Sequence, residues 1–308
     1  MSNNCAWLVF DISNILYRTF FAQRDETDDV IAGLATHSAL TTLNKYFKAY
    51  KPTQGVVMAF DRSSWRKAYT ASEACLSKKP YKGNRRKDMT PSQKEKYSRF
   101  LEHIDEFEQL IAEHTTIVTL AQPSLEADDL IAGFCQFNSS LETPVVVITA
   151  DSDMLQLVMN PGVTVVSPAT DKPQSLSEYF DDPNYYVFMK CLRGDPTDNV
   201  QSAYPRVQSK RIRKAYEDEF EKVQLMKETW TNPDGITFVV EDLFAENELL
   251  IHLEKQPPDI RDLIEAVVMV SVAKKRQFSM FHLLKFIGKY KLNRIKESLD
   301  QYIPMLSN

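Results

Sequence analysis

The chain is short of the residues that build several common kinds of site. Its four cysteines (Cys5, Cys75, Cys135, Cys191) lie far apart with no C-x-x-C pair, which excludes a cysteine zinc cluster and a disulfide framework and points to a reducing, cytoplasmic setting. The five histidines, His103 and His114 among them, are dispersed and form no site motif. No apolar run reaches the length of a bilayer span, and "MSNNCAWLVFDIS" lacks a basic stretch ahead of its short apolar run, so neither export nor membrane insertion is expected. Glycine is rare, eight in 308 residues, which gives weight to Gly83 and Gly194, the two that fall inside motifs described below. Internal repeats and low-complexity segments are absent.

With 43% hydrophobic and 26% charged residues the chain has enough apolar content for one large or two modest cores, here expected as one main domain with a helical C-terminal extension. The net charge of −5 conceals an asymmetry. Between Arg62 and Arg99 there are twelve Lys or Arg and three acids, which leaves 25 bases against 39 acids elsewhere. Such a basic run is either a solvated face or the footprint of a phosphate-backbone binder.

Five short, continuous, β-branched runs read as buried strands: 6–12, 55–61, 116–121, 145–151 and 163–168. Helical patterns separate most of them. One helix starts at Thr90, whose "TPSQ" offers an N-cap, a proline at the first position and a capping-box glutamine, and its apolar face runs from Phe100 to Ile111. The fold class expected is therefore α/β, a mostly parallel sheet flanked by helices. Past about residue 185 the pattern is mainly helical, with a short β element at 235–242.

Asp11, Asp61 and Asp151 each end a predicted strand, and ligands of open α/β sheets bind at that edge. "PSLEADDLIAGF" (123–134) opens a helix from the same edge, with Ser124 as the expected N-cap and Glu126, Asp128 and Asp129 in the first turn. Asp153 follows Asp151 in "TADSDM" (149–154), and "CLRGDPTDNV" (191–200) adds Asp195 and Asp198. One acid after a strand is an ordinary turn former. Nine acids, however, cannot crowd together uncompensated, and an all-oxygen set without His or Cys suits hard divalent cations, Mg²⁺ or Mn²⁺. Two such ions would serve the in-line displacement of a phosphodiester.

In this order, Asp11, "FD" at 60–61, "EADD" at 126–129, "TADSDM" at 149–154 and "GDPTDN" at 194–199 resemble the structure-specific 5′-nucleases: flap endonucleases, the 5′-nuclease domains of bacterial DNA polymerases, and phage relatives. "YKGNRRK" (81–87) resembles the segment that in this family lies at the base of a helical arch or clamp. The resemblance covers about residues 6–215 and is strongest to the phage ribonuclease H subgroup, through "LRGDPTDNVQSAYPRVQS". It implies a PIN-like nuclease core over 1–184, with a basic arch at about 62–99, and a mainly helical DNA-binding region over 185–308. Lys82 and Arg85 would contact the scissile phosphate, Tyr81 would stack on a terminal base, and Arg86 would join the nucleic-acid contacts. Of the two ions, Asp11, Asp61, Glu126, Asp128 and Asp151 would surround the first, and Asp129, Asp153, Asp195 and Asp198 the second. The implied activity is a Mg²⁺-dependent 5′-3′ exonuclease or flap endonuclease with ribonuclease H activity. It would act in DNA replication, in a phage, on branched or nicked duplex DNA, RNA–DNA hybrids and single-stranded 5′ flaps, as a monomer in the host cytoplasm, with replication proteins as further partners and no membrane.

One motif departs from the family. The family's glycine-rich helix–three-turn–helix element, whose loop holds a monovalent cation, is here "VQSAYPRVQSKRIRKAYEDEF", with no glycine between Gly194 and Gly235. The resemblance does not carry that cation site over. Arg206, Lys210, Arg211, Arg213 and Lys214 are expected to hold duplex by side-chain charge instead. Trp65, Tyr69, Tyr81 and Tyr97 interleave with the bases of the arch; they are candidates for base stacking, although packing is the better reading for Trp65. Among rival readings, a haloacid-dehalogenase-like phosphatase needs an aspartate where Ser13 stands, and a topoisomerase-primase-type domain accounts for D-x-D alone. A PIN-type ribonuclease or a non-catalytic branched-DNA binding protein remain as alternatives. Helices beyond about residue 235 carry basic faces and read as solvated surfaces packed on the main domain, or as contacts to duplex or a partner.

Overall fold

The computed structural model describes residues 4–23, 25–85 and 89–308. Its main sheet has six strands in the order β3-β2-β1-β4-β5-β6. These are β1 (Trp7–Asp11), β2 (Gly55–Ala59), β3 (Val118–Leu120), β4 (Val145–Ile148), β5 (Val163–Ser167) and β6 (Lys172–Pro173). The first five pair in parallel, and only the two-residue edge strand β6 runs antiparallel. All five predicted strands are present at their expected places, as continuous apolar runs buried on both faces require. A separate hairpin, β7 (Thr229–Thr231) with β8 (Thr237–Val239), gives the β element foreseen at 235–242 a partner strand that sequence reasoning did not supply.

The helices are α1 (Ile12–Ala22), α2 (Asp28–Tyr50), α3 (Trp65–Ala71), α4 (Pro91–His114), α5 (Ala127–Asn138), α6 (Pro183–Arg193), α7 (Ser209–Glu217), α8 (Glu219–Met226), α9 (Val240–Ile251), α10 (Pro258–Ala273), α11 (Met280–Lys289), α12 (Asn293–Glu297) and α13 (Ile303–Leu306). α4 begins with the expected capping box, Thr90 and Gln93 bonding each other's backbone N–H. The period of two along the strands divides the core. Leu8, Phe10, Met58 and Ile148 face α1, α2 and α4, while Val9, Val57, Ala59 and Val147 face α5.

The chain's end returns to this sheet. Leu283, Phe286, Ile295 and Met305 join the first of these cores, and Ile264 and Val268 of α10 join the second, against α5. Helices α6 to α9 build a third core around Tyr186, Cys191, Leu192, Ile212 and Leu250. Among the described residues no helix is long and apolar enough to cross a membrane.

The chain runs from β1 outward through β2 to β3 on one side, then crosses back to place β4 and β5 on the other side of β1. The carboxyl ends of β1 and β4 therefore border the crevice at a topological switch point, where open α/β sheets take ligands.

Candidate metal centre and nucleic-acid interface

The strand ends deliver their acids to that crevice. Asp11, the last residue of β1, is the N-cap of α1: one carboxylate oxygen accepts from the Asn14 N–H at 3.0 Å and the other from the Thr149 hydroxyl at 2.9 Å. Asp61 follows β2; its N–H donates to Ser13 Oγ at 2.8 Å and its carboxylate accepts from the Ala127 N–H at 2.9 Å. Asp151 caps the 3₁₀ turn Ser152–Met159 by accepting from the Asp153 N–H at 2.9 Å. The N-cap of α5 is Glu126 rather than Ser124, closing a reciprocal capping box with Asp129. An acid is tolerated in this place because the buried Arg66 and the half-buried Lys82 neutralise it.

Eight of the nine predicted acids, with Lys82 and Arg85, line one cleft that continues past Tyr17 and Arg18 of α1, His37 of α2 and Gln93 and Lys96 of α4. The ninth, Asp129, is fully buried and points the other way. It receives both guanidinium arms of Arg66, at 2.9 and 2.8 Å, and Gln256 Nε2 at 3.3 Å. Asp129 lies with Glu126 and Asp128 in a trio whose oxygens fall within 4.8 Å of one another, and both of its own oxygens accept from Arg66.

Charge compensation divides the remaining eight. Glu126 accepts from Arg66 at 3.2 Å and from Lys82. Asp198 meets Arg85, lies 3.5 Å from the Lys82 ammonium and accepts from the Tyr81 hydroxyl at 2.7 Å. Asp153 and Asp195 share Lys190, the latter at 2.9 Å. By contrast, among the described residues no lysine or arginine is ion-paired with Asp11, Asp61, Asp128 or Asp151.

The protonation equilibria follow this division in part: burial raises Asp153 in spite of Lys190, whereas for Asp195 the same lysine outweighs burial and lowers it. Burial, then the neighbouring Asp61 and Asp151, raise Asp11 to about 7. Asp61 is raised by burial and by Glu126, and Asp128 is pushed well above the carboxylate range by burial and by Asp129 and Glu126. Burial acts on Glu126 as well, but Lys82 and Arg66 outweigh it and hold that carboxyl at about 2. Carboxylates left unpaired at such a cost, offering oxygen donors alone, fit a hard divalent cation.

The basic segment reaches the acids through its loop. Lys82 N–H donates to the Asp198 carbonyl at 2.8 Å, Asn84 donates to the Pro196 carbonyl at 2.9 Å, and Asn199 donates to the Pro80 carbonyl at 2.8 Å, so the loops at 80–85 and 195–199 are zipped together. Both depend on glycine. A Cβ on Gly83 would sit 2.7 Å from Pro80, and Gly194 has φ of 70° with the Val200 and Gln201 backbone 2.6 Å from where its Cβ would be.

Three expectations for this segment need correction. Tyr81 is buried with its hydroxyl on Asp198, so its ring supports the loop and is not open to stack on a base. Tyr97 is buried among Tyr17 and Phe20, and Trp65 is buried against the sheet, as packing predicted. Arg66, counted among the arch bases, is fully buried. Arg86 lies outside the described residues. In the later basic stretch, Arg211 pairs with Glu228, Arg213 with Glu217 while lying over the Phe180 ring, and Lys214 with Glu221. Arg206 and Lys210 are exposed, with no ion pair among the described residues.

Sequence reasoning missed Arg66 and Lys190. The signal for Lys190 was a lone cation in the apolar run "YYVFMKCL"; nothing set Arg66 apart from the eleven other bases around it.

Known proteins share this arrangement of elements. The T5 D15 protein co-crystallised with metal ions superposes with a TM-score of 0.64 at 17% identity, over 86% of this chain and 99% of that one. The bacteriophage T5 D15 flap endonuclease in a pseudo-enzyme–product complex with DNA and metal ions gives 0.61 at 18%, over 87% and 99%. In sequence, DNA polymerase I of Mycobacterium bovis is 30% identical over 205 residues, 63% of this chain and 21% of that one. The thermostable DNA polymerase I of Thermus thermophilus is 27% identical over 282 residues, 89% of this chain and 28% of that one. The chain thus spans about a fifth to a quarter of the length of the curated relatives it matches. The model of the 5′-3′ exonuclease N-terminal resolvase-like domain matches residues 6–184, which contain seven of the nine acids and the loop bearing Lys82 and Arg85, and the chain belongs to that 5′-3′ exonuclease family.

Proposed function

We propose that this protein is a divalent-cation-dependent 5′-nuclease that hydrolyses phosphodiesters at 5′ flaps, nicks and RNA primers during DNA replication. The observation that carries the reading is the set of four carboxylates, Asp11, Asp61, Asp128 and Asp151, that converge on the sheet's switch point with no lysine or arginine ion-paired to any of them among the described residues. A non-catalytic DNA-binding protein would have no use for so costly an arrangement. The T5 D15 protein was crystallised with metal ions, and as a flap endonuclease with DNA and metal ions together, which supports the same reading for this chain.

In this reading Asp11, Asp61, Asp128 and Asp151 hold one Mg²⁺, and Asp153, Asp195 and Asp198 hold a second, with Mn²⁺ able to substitute. Bound there, the ions supply Lewis-acid stabilisation of the phosphodiester and acidify a water. The protein supplies the rest. Lys82 and Arg85, now spent on Glu126 and Asp198, stand at the cleft wall where they turn to a phosphate and stabilise its developing charge. Thr149 and the Asn14 N–H fix Asp11, and the Ala127 N–H fixes Asp61, so the oxygens are preorganised. The products would carry 5′-phosphates. Residues 1–184 would do the cutting and 185–308 would hold the duplex, as a monomer acting in the cytoplasm on flaps, nicked duplex or RNA–DNA hybrids, in a phage and beside other replication proteins.

The test is cleavage of a labelled duplex bearing a 5′ flap, with a matched RNA–DNA hybrid, in Mg²⁺. Cleavage near the junction, abolished by EDTA and reduced at least about a thousandfold in Asp151→Asn, is expected. Binding without cleavage in either Mg²⁺ or Mn²⁺ would overturn the proposal.

A further inference from the structure

Lys190 occupies an unusual place for a lysine. It lies in α6 between Met189 and Cys191, in a helix whose other inward residues are apolar, and its side chain is 13% exposed. Its ammonium joins two carboxylates brought from different parts of the chain: Asp153 from the turn after β4, and Asp195, 2.9 Å away, from the loop after α6. The Tyr186 ring lies beneath it, 5.9 Å from centroid to Nζ. Burial opposes a charged lysine here, but Asp153, with Tyr186 and Asp195, holds the ammonium above the ordinary lysine range.

The ammonium therefore stands on the oxygens that a second divalent cation would use. An ammonium and a divalent cation on one carboxylate pair repel each other at such close range and draw on the same oxygens, so each weakens the other's hold. Among the described residues no lysine or arginine is ion-paired with Asp11, Asp61, Asp128 or Asp151. Lysine has a flexible four-carbon stem and a point charge without fixed directionality, so its head can transfer from a carboxylate to a nearby phosphate without moving the backbone.

We propose that Lys190 is a built-in counterion that closes the Asp153–Asp195 pair to divalent cations in the free protein, and that a nucleic-acid phosphate opens the pair by drawing the ammonium away. The inference rests on reading the cleft as a divalent-cation nuclease site and adds an order to its assembly: the first cation enters unopposed, and the second enters with the substrate. Lys190 is then a positioning residue that couples two ligands, and by linkage each must strengthen the other's binding.

Mn²⁺ titration followed by the electron paramagnetic resonance of the free ion tests this, with and without the nicked duplex that remains after cleavage. The wild-type protein should bind one Mn²⁺ tightly and a second at least about tenfold more weakly, with the duplex tightening the second by a similar factor. Lys190→Met should tighten the second Mn²⁺ about tenfold in the absence of duplex and remove most of the coupling, while Lys190→Arg retains the wild-type pattern. Asp195→Asn should abolish the second binding step and leave the first. A second Mn²⁺ no tighter in Lys190→Met overturns the inference, and so does a wild-type second site indifferent to duplex, which needs no variant to fold. Two Mn²⁺ bound without coupling, beside normal flap cleavage, would defeat this inference alone; failure to bind Mn²⁺ or to cut the flap would defeat the nuclease reading with it.

Discussion

The cleft carries two populations of carboxylate that differ in what balances them. Glu126, Asp153, Asp195 and Asp198, with the buried Asp129 behind them, are each met by a lysine or arginine of the same chain. Asp11, Asp61, Asp128 and Asp151 are met by backbone N–H groups and a threonine hydroxyl. The first population ties loops together: Arg66 joins α3 to α5, Lys82 joins the basic loop to α5 and the 195–199 loop, and Lys190 joins α6 to the turn after β4. The second makes only neutral ties, Asp11 to Thr149 and Asp61 to the start of α5, and the repulsion among its members strains the fold. Compensated acids thus assemble the site, and the uncompensated ones are left, among the described residues, without a paired cation.

The largest effect should come from breaking the compensated side at its most buried point. Arg66→Met leaves Asp129, fully buried, and Glu126, 6% exposed, without their guanidinium. Removing one partner of such a pair costs about 3–5 kcal/mol, so urea unfolding should show a loss of that size. Arg66→Met combined with Asp129→Leu should recover much of it, because the stranded charge goes too. Equal destabilisation of the single and double variants would show that Arg66 acts by packing and not by neutralising Asp129.

A smaller effect, of opposite sign, should sharpen the uncompensated side. Asp11 binds its proton with a pKa of about 7 in the folded protein and near the ordinary carboxylate value of 3.8 when unfolded. Between those values the folded state holds the extra proton, so stability falls as pH rises through the window and levels off above it. Neighbouring acids titrate with Asp11, and the window belongs to the cluster. In EDTA, stability should drop by about 2 kcal/mol from pH 5 to pH 7. Asp11→Asn should flatten the curve, and Mg²⁺ should do the same for the wild type by binding the ionised form. A profile that rises with pH over this range would refute the assignment of Asp11 to the uncompensated set.

Much of this was legible beforehand, for a reason specific to each part. The five parallel strands announce themselves because burial on both faces leaves only apolar, β-branched residues, and each ends at an abrupt change to Asp or to a turn. The acids follow from the strand ends. What stayed hidden is pairing at long range: Arg66 finds Asp129 across 63 residues, and Lys190 finds Asp153 across 37. No local pattern records such partners. Tyr81 shows the converse error, since an aromatic among bases has the composition of a stacking surface whether its ring faces solvent or, as here, the core.

The same comparison extends to the basic stretch after the 195–199 loop, where the expected effect is smallest. All five bases were expected to hold duplex, yet Arg211, Arg213 and Lys214 already spend their charge on Glu228, Glu217 and Glu221. Outside the cleft, where no divalent cation would take over the vacated carboxylate, a cation paired with a carboxylate gains little by exchanging it for a phosphate, because the carboxylate is then left beside the polyanion. Arg206 and Lys210 bear no such partner among the described residues, and both are exposed. Each phosphate that a variant no longer neutralises should lower the slope of log affinity against log salt by about 0.9. Removing both Arg206 and Lys210 in the Asp151→Asn background should therefore flatten that slope by nearly two units and weaken duplex binding at low salt, while Arg213→Ala with Lys214→Ala should leave the slope unchanged. If the second pair flattens it as much as the first, local ion pairs do not decide which bases are free for nucleic acid, and the division between balanced and unbalanced charge would hold only inside the cleft.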